Sequence, residues 1–243
     1  DNLPAGFRPI RISLHAGTRE PTFTALAIDD GQDIPFDVQV GRSPGKATDD
    51  YWTEMTQRKF FRPISLCYQP DGTHTYIFVK DKYQSGGWLC KPVQLTLGEY
   101  DTTRREVPTC RPVVLSAPSE LGWTWMLFAP NEGGVKWDAK LSVSPAGLRD
   151  LVAECRKKGW RPDVITPFAD GGNLLYRVIT IEDEPRSNWS FETDLKPTDF
   201  LARLATQRQR GFRPDVVAAS GSGNAARYSV VWVAFEPRDA PLP

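Results

Sequence analysis

The chain reads as a tandem α/β (α+β) repeat: five β-hairpin-plus-helix units of about 50 residues, packed into one compact, ring-like (α/β-propeller-like) domain. Three observations predict this. An Arg-Pro dipeptide recurs at Arg8-Pro9, Arg62-Pro63, Arg111-Pro112, Arg161-Pro162 and Arg213-Pro214. The residue before the Arg is Phe7, Phe61, Trp160 or Phe212, with Cys110 in the remaining unit. A second aromatic column, Phe23, Tyr76, Trp125, Tyr176 and Tyr228, follows 14 or 15 residues after each Arg. Units of this size bury too little surface to fold well alone, so neighbours must share a core. Closing the series into a ring removes the exposed end faces that an open solenoid, the alternative arrangement, must cap.

Each element has its own signal. Gly6, Gly159 and Gly211 precede the aromatic residue, and a glycine there allows the left-handed turn that ends a helix. The proline then fixes φ and pushes the Arg into extended geometry, so the joint is a helix stop and a strand start. Four residues after each Arg stand Ile12, Leu66, Leu115, Ile165 and Val217; the next position is always small, Ser13, Cys67, Ser116, Thr166 and Ala218. That alternation predicts a strand with close neighbours on one face. Glycine-bearing tips follow at Ala16 to Pro21, Gln69 to Thr73, Pro118 to Gly122, Ala169 to Asn173 and Gly221 to Ala225, as in hairpins. The second strand begins at the second aromatic column.

A third extended piece starts near Phe36, Trp88, Trp137 and Trp189 and leads into a helix in four units. Ser144-Pro145 suits an N-cap with proline at the first helical position, predicting a helix over Pro145–Lys158. Leu148, Leu151, Val152 and Cys155 supply its apolar stripe. Further helices are predicted over Thr198–Arg210, Asp49–Lys59 and, more weakly, Glu99–Val107. The units run approximately 1–54, 55–104, 105–154, 155–206 and 207–243, as one repeat domain. The start at Asp1-Asn2 reads as a processed form or an excised segment of a larger multidomain protein.

Composition narrows the function classes. The chain is 40% hydrophobic and 25% charged, as in an ordinary soluble globular protein. Thirty basic residues balance thirty acidic ones, so no global field draws the chain to nucleic acid or an anionic membrane. No apolar run approaches the ~20 residues of a membrane span. Cys67, Cys90, Cys110 and Cys155 form no C-x-x-C pair, so neither a metal nor any cofactor is expected. Cys67 and Cys110 occupy packing columns and read as buried small hydrophobes, with a Cys67–Cys90 disulfide as the alternative.

The catalytic motifs fail on context. Ser43-Pro44-Gly45-Lys46 has the S-x-x-K spacing of β-lactamase-like hydrolases, but Pro-Gly between the two groups favours a loop. Gly221-Ser222-Gly223-Asn224-Ala225-Ala226 resembles a dinucleotide fingerprint but leads into a strand rather than a helix. Cys67 and His74 form a conceivable Cys–His pair across one hairpin, yet Cys67 sits in a packing column. No catalytic residue is assigned.

Toward the C-terminal end the units read Trp189-Ser190-Phe191, then Gly211-Phe212-Arg213-Pro214, then Ala226-Arg227-Tyr228-Ser229-Val230-Val231-Trp232. This resembles the bacterial tandem repeat family, also called the polyglycine hydrolase-like structural repeat. The resemblance extends over all five units and is weaker in the first three, where the Arg before the second aromatic column becomes Thr. It implies an accessory, recognition or scaffolding segment beside a catalytic domain such as a β-lactamase-like hydrolase or a kinase. The expected function is therefore non-catalytic recognition of a protein, a peptide or a neighbouring domain of the same chain. The variable tips would be the contact surface. Candidate tip contacts are Trp123, His74, Arg19, Asn173 and Asn224. Trp123 raises the alternative of a carbohydrate-binding module, and a hydrolase is the weakest reading. The column Arg8, Arg62, Arg111, Arg161 and Arg213 either packs structurally, on aromatic rings or a carboxylate of the next unit, or converges on an anion.

Overall fold

The computed structural model describes residues 7–15, 22–29, 34–69, 71–80, 92–96, 99–116, 123–131, 133–183 and 187–234. Within them lie fourteen β-strands and four α-helices, arranged as small antiparallel sheets. Two compact units are distinguished: Asp1–Ile12 with Ala25–Gly134, and Ser13–Thr24 with Val135–Pro243. The hairpin β1 (Phe7–Leu14) and β2 (Phe23–Asp29) contributes its base to the first and its tip-side residues to the second.

The first unit continues with β3 (Phe36–Arg42), α1 (Lys46–Thr53), a π-helical turn Glu54–Arg58, β4 (Phe61–Tyr68) and β5 (His74–Lys80). It then repeats as β6 (Pro92–Thr96), α2 (Tyr100–Glu106), β7 (Cys110–Ser116) and β8 (Trp123–Pro130). The second unit holds β9 (Trp137–Val143), α3 (Pro145–Lys158), β10 (Trp160–Asp170) and β11 (Asn173–Glu182). It ends with β12 (Trp189–Leu195), α4 (Pro197–Gln209), β13 (Phe212–Ser220), a 3-10 turn Gly223–Ala225 and β14 (Arg227–Ala234).

Hydrogen bonding joins each third strand to the hairpin that follows it. The sheets run β3-β5-β4, β6-β8-β7, β9-β11-β10 and β12-β14-β13, with the second hairpin strand always central. Strand Trp189–Leu195, for example, pairs with β14 from Trp189 opposite Val233 to Leu195 opposite Tyr228. The folded repeat is thus strand, helix, hairpin, out of phase with the Arg-to-Arg interval.

Local sequence accounts for the elements. The Ser144 hydroxyl accepts from Gly147 N at 3.0 Å, Pro145 opens α3, and Gly159 at φ 73° ends it. These are the partners a helix needs for its orphan donors and for a left-handed stop. Every described Arg-Pro strand in a three-stranded sheet carries a bulge at the same place, between Pro63 and Ser65, Pro112 and Val114, Pro162 and Val164, and Pro214 and Val216. Proline cannot donate to the ladder, so a bulge beside it interrupts the pairing where a donor is already missing. The skipped residues are Ile64, Val113, Asp163 and Asp215.

Cores form between consecutive sheets. In the first unit Met55, Leu66, Tyr76 and Phe78 pack with Val114, Leu127 and Ala129 of the next sheet. In the second, Leu148 and Val152 of α3 with Ile165, Tyr176 and Val178 meet Val216, Ala218 and Val231. One sheet's helix side thus covers the back of the next sheet. The small column permits this closeness. The Ser116 hydroxyl accepts from Tyr68 N at 2.6 Å, and the Cys67 thiol donates to Ile12 O at 3.3 Å.

Candidate functional site

The first strands of neighbouring repeats, β4 with β7 and β10 with β13, pack side by side. Tyr68 and Ser116, bonded to each other, both end their strands. Arg161 and Asp215, also bonded, both lie near the starts of theirs. The paired strands therefore run in one direction and bring successive tips to the same edge within each unit.

Tip geometry is held by backbone conformation. In the second unit Asp170 pairs with Asn173 across Gly171 (φ 54°) and Gly172 (φ 81°). Two consecutive positive φ values are the tight hairpin turn that glycine permits without strain. Asn173 is exposed there. The next tip turns at Gly221 (φ 71°), where an added Cβ would stand 2.8 Å from Ala225 O, and exposes Ser222 and Asn224. His15 braces this tip: its Nδ1 lies 3.1 Å from Gly221 O, its Nε2 lies 2.7 Å from Thr24 Oγ1, and its ring meets Tyr228 edge-on. In the first unit Asp71 accepts from the N and Oγ1 of Thr73 at 2.9 and 2.7 Å, which holds its carboxyl below the usual range.

His74 does not belong to the exposed tip that its position in the sequence promised. It is 5% exposed and enclosed by Tyr68, Tyr76 and Trp125, with ring centroids 4.7, 5.6 and 5.4 Å away. It opens β5, two residues before Tyr76, and so shares that residue's core-facing side. Burial lowers its pKa from 6.5, with the backbone at Arg42 and the charge of Asp49 acting the other way. In register it opposes Tyr68, while Cys67 opposes Thr75. Adjacent strand residues face opposite sides, so Cys67 and His74 form no dyad. Trp123 opens β8 opposite Thr96, but its side chain lies outside the described residues, as does the whole of Arg19. Cys90 lies outside them as well.

The Ser43–Lys46 pairing is likewise undone. Lys46 opens α1 and reaches Asp50 at 2.6 Å, with 85% of its side chain exposed. The chain after the Gly221 loop is strand β14, so no helix N-terminus faces it. Among the described residues no group of three or more His, Cys, Asp or Glu side chains is placed to hold a metal ion. None of the described helices is long and apolar enough to cross a membrane.

Within the Arg column, Arg161 is surrounded by carboxylates: Asp215 at 2.7 Å, Asp183 at 3.4 Å and Asp163 at 3.8 Å. Burial opposes its charge, but the carboxylates outweigh it and raise its pKa. Its guanidinium ties one repeat to the next. Arg62 is exposed, and Arg8, Arg111 and Arg213 are half-buried. The sequence reading passed over Arg177. It is buried in β11 with its guanidinium 3.9 Å from the Phe168 ring centroid. Burial brings its pKa down to about 10, against the opposing charge of Asp170. The signal was present: next after the second aromatic column stand Thr24, Ile77, Met126 and Ser229, so Arg177 is the one charge at that position.

A repeated strand–helix–hairpin with buried columns and exposed turns defines a tandem-repeat protein. Residues 134–179 and 186–234 each match the family model of the polyglycine hydrolase-like structural repeat, so the chain carries that repeat in both segments. The first match takes in β9, α3, β10 and most of β11, and the second takes in β12, α4, β13 and β14. The family repeat and the hydrogen-bonded repeat therefore share one phase.

Proposed function

We propose that the chain is a non-catalytic repeat module that recognises a protein or peptide segment through its hairpin tips, that segment belonging to a partner or to a neighbouring domain of its own polypeptide. The observation that carries this reading is the division between frame and tips. Phe78, Leu127, Val178 and Val230 are fully buried, while Asp170, Asn173, Ser222 and Asn224 at the tips are exposed and polar. Asn side chains offer both donors and acceptors, which suits the amides of an extended peptide. A frame held by left-handed glycines and side-chain braces presents them with little ordering cost on binding.

Affinity capture from the native organism's lysate and medium tests this, comparing the chain with an Asp170→Ala/Asn173→Ala/Asn224→Ala variant matched for circular dichroism. A protein held by the first and lost by the second is the expected result. Retention of the same proteins by both chains would remove the second unit's tips from recognition. Binding only to immobilised saccharide would replace the peptide reading with a carbohydrate one.

A further inference from the structure

In each three-stranded sheet the outer edge of the second hairpin strand is paired with a leading strand, and a helix follows that strand. The hairpin β1–β2 is different. Its sheet has two strands among the described residues, leaving the outer edge of β2 without a ladder partner there. Ala25 lies 17 residues after Arg8, as Val178 and Val230 lie after Arg161 and Arg213. It so belongs to the column of Tyr76, Met126, Val178 and Val230, which stand opposite the aliphatic residue four after each Arg. Those four are at most 4% exposed, whereas Ala25 is exposed.

The neighbouring strand is bare on the corresponding face. Phe36, Val38 and Val40 of β3 are 40%, 38% and 65% exposed. Their counterparts Ala139 and Leu141 in β9 are each 7% exposed. In β12 the counterparts Trp189 and Phe191 pack against the cluster containing Leu148 and Val152 of α3, and Arg156 of α3 sits 4.9 Å over the Trp189 ring. The helix of one repeat therefore covers the leading strand of the next. A row of exposed apolar residues on an edge strand is a surface that folded proteins ordinarily cover.

The sequence also says where the covering helix ends. Gly6-Phe7-Arg8-Pro9 repeats the joint Gly159-Trp160-Arg161-Pro162 and Gly211-Phe212-Arg213-Pro214. Gly159 at φ 73° and Gly211 at φ 76° are the left-handed residues that close α3 and α4. We propose that the outer edge of β2 and the apolar stripe Phe36, Val38 and Val40 form a docking groove for one strand–helix segment of the same repeat type, carried on polypeptide leading into Gly6.

Among the described residues, the strand–helix pairs are committed elsewhere: β3–α1, β6–α2, β9–α3 and β12–α4 each serve their own sheet. The occupant's chemistry follows from the other repeats: an aromatic residue opening the strand, as Trp137 and Trp189 do, then an amphipathic helix whose apolar stripe meets Ala25, Phe36 and Val38.

The test grafts a second copy of residues 189–210 ahead of Gly6 in the full chain. A control graft carries Asp at the grafted positions of Phe200 and Leu204, whose originals pack beside Trp232. The docked graft is expected to slow amide exchange over residues 25–28 by at least about tenfold and to raise the thermal midpoint, with neither change in the control. Equal exchange and equal midpoints in the grafted, control and unmodified chains would overturn the proposal. Sedimentation of the unmodified chain supplies a second reading. A concentration-dependent dimer abolished by Val38→Glu would assign the groove to a second copy and overturn the occupant proposed here.

Discussion

Arg161 Nη1 donates to Asp215 Oδ2 at 2.7 Å, joining the first strand of one repeat to the first strand of the next. Asp215 is the residue skipped by the bulge after Pro214, and Asp163, skipped after Pro162, lies 3.8 Å from the same guanidinium. A bulge frees its extra residue from the ladder and re-aims its side chain. The proline that interrupts pairing within a sheet thereby supplies the acid that links two sheets.

This pair is mostly shielded, with side chains 18% and 23% exposed. Removing Asp215 leaves Arg161 with the two more distant carboxylates, Asp183 and Asp163. Asp215→Ala is expected to cost about 2 kcal/mol in urea unfolding, the loss of one charge-assisted hydrogen bond. The double variant Arg161→Met/Asp215→Leu should lose more, because it leaves Asp183 and Asp163 without their guanidinium. A double-mutant cycle reads the coupling, and additive losses would show the two residues to be independent.

The two glycine tips of the second unit should respond differently to alanine. At Gly171 a Cβ meets nothing within 4 Å, so only the left-handed φ of 54° opposes it, at about 1 kcal/mol. At Gly221 the same change drives a Cβ to 2.8 Å from Ala225 O as well, and about 2–3 kcal/mol is expected. Gly221→Ala should also shift the NMR signals of the His15 ring, whose Nδ1 lies against Gly221 O.

Acid should destabilise the fold through its two histidines. Burial lowers the pKa of both His15 and His74 from 6.5, partly offset by hydrogen bonds at Gly221 and Arg42. The unfolded chain then takes up protons that the folded chain resists. The stability they support is complete above about 6.5 and falls as pH drops below it. Urea midpoints between pH 7.5 and 5.5 should decline for the native chain and decline less for His15→Gln/His74→Phe.

Cys110 and Cys155 are free and buried, and burial pushes the Cys155 thiol up to about 11. The thiolate is the reactive form. Alkylation at pH 8 followed by peptide mapping should leave both unmodified in the folded protein and label both in urea. Rapid labelling of native Cys155 would place it outside the core formed by α3.

Much of the repeat was legible in the sequence. The helix predicted over Pro145–Lys158 forms with those limits, and the one predicted over Thr198–Arg210 runs Pro197–Gln209. Three third-strand starts, Phe36, Trp137 and Trp189, fall where the aromatic signal put them. Asp49–Lys59 divides into the end of α1 and a π-helical turn, since the segment begins earlier, at Lys46. The site was less legible. Asn173 and Asn224 are exposed, but His74 is inside because it lies two positions from Tyr76 on one strand face.

By itself the sequence determined the repeat and the order of its elements, because glycine, proline and apolar alternation act over a few neighbouring bonds. Only the tertiary structure decided that Trp189–Leu195 pairs with the hairpin after it, that Asp215 neutralises Arg161, and that Phe36, Val38 and Val40 are uncovered. Those outcomes depend on which surfaces meet across about 50 residues of chain, and local preference cannot encode them.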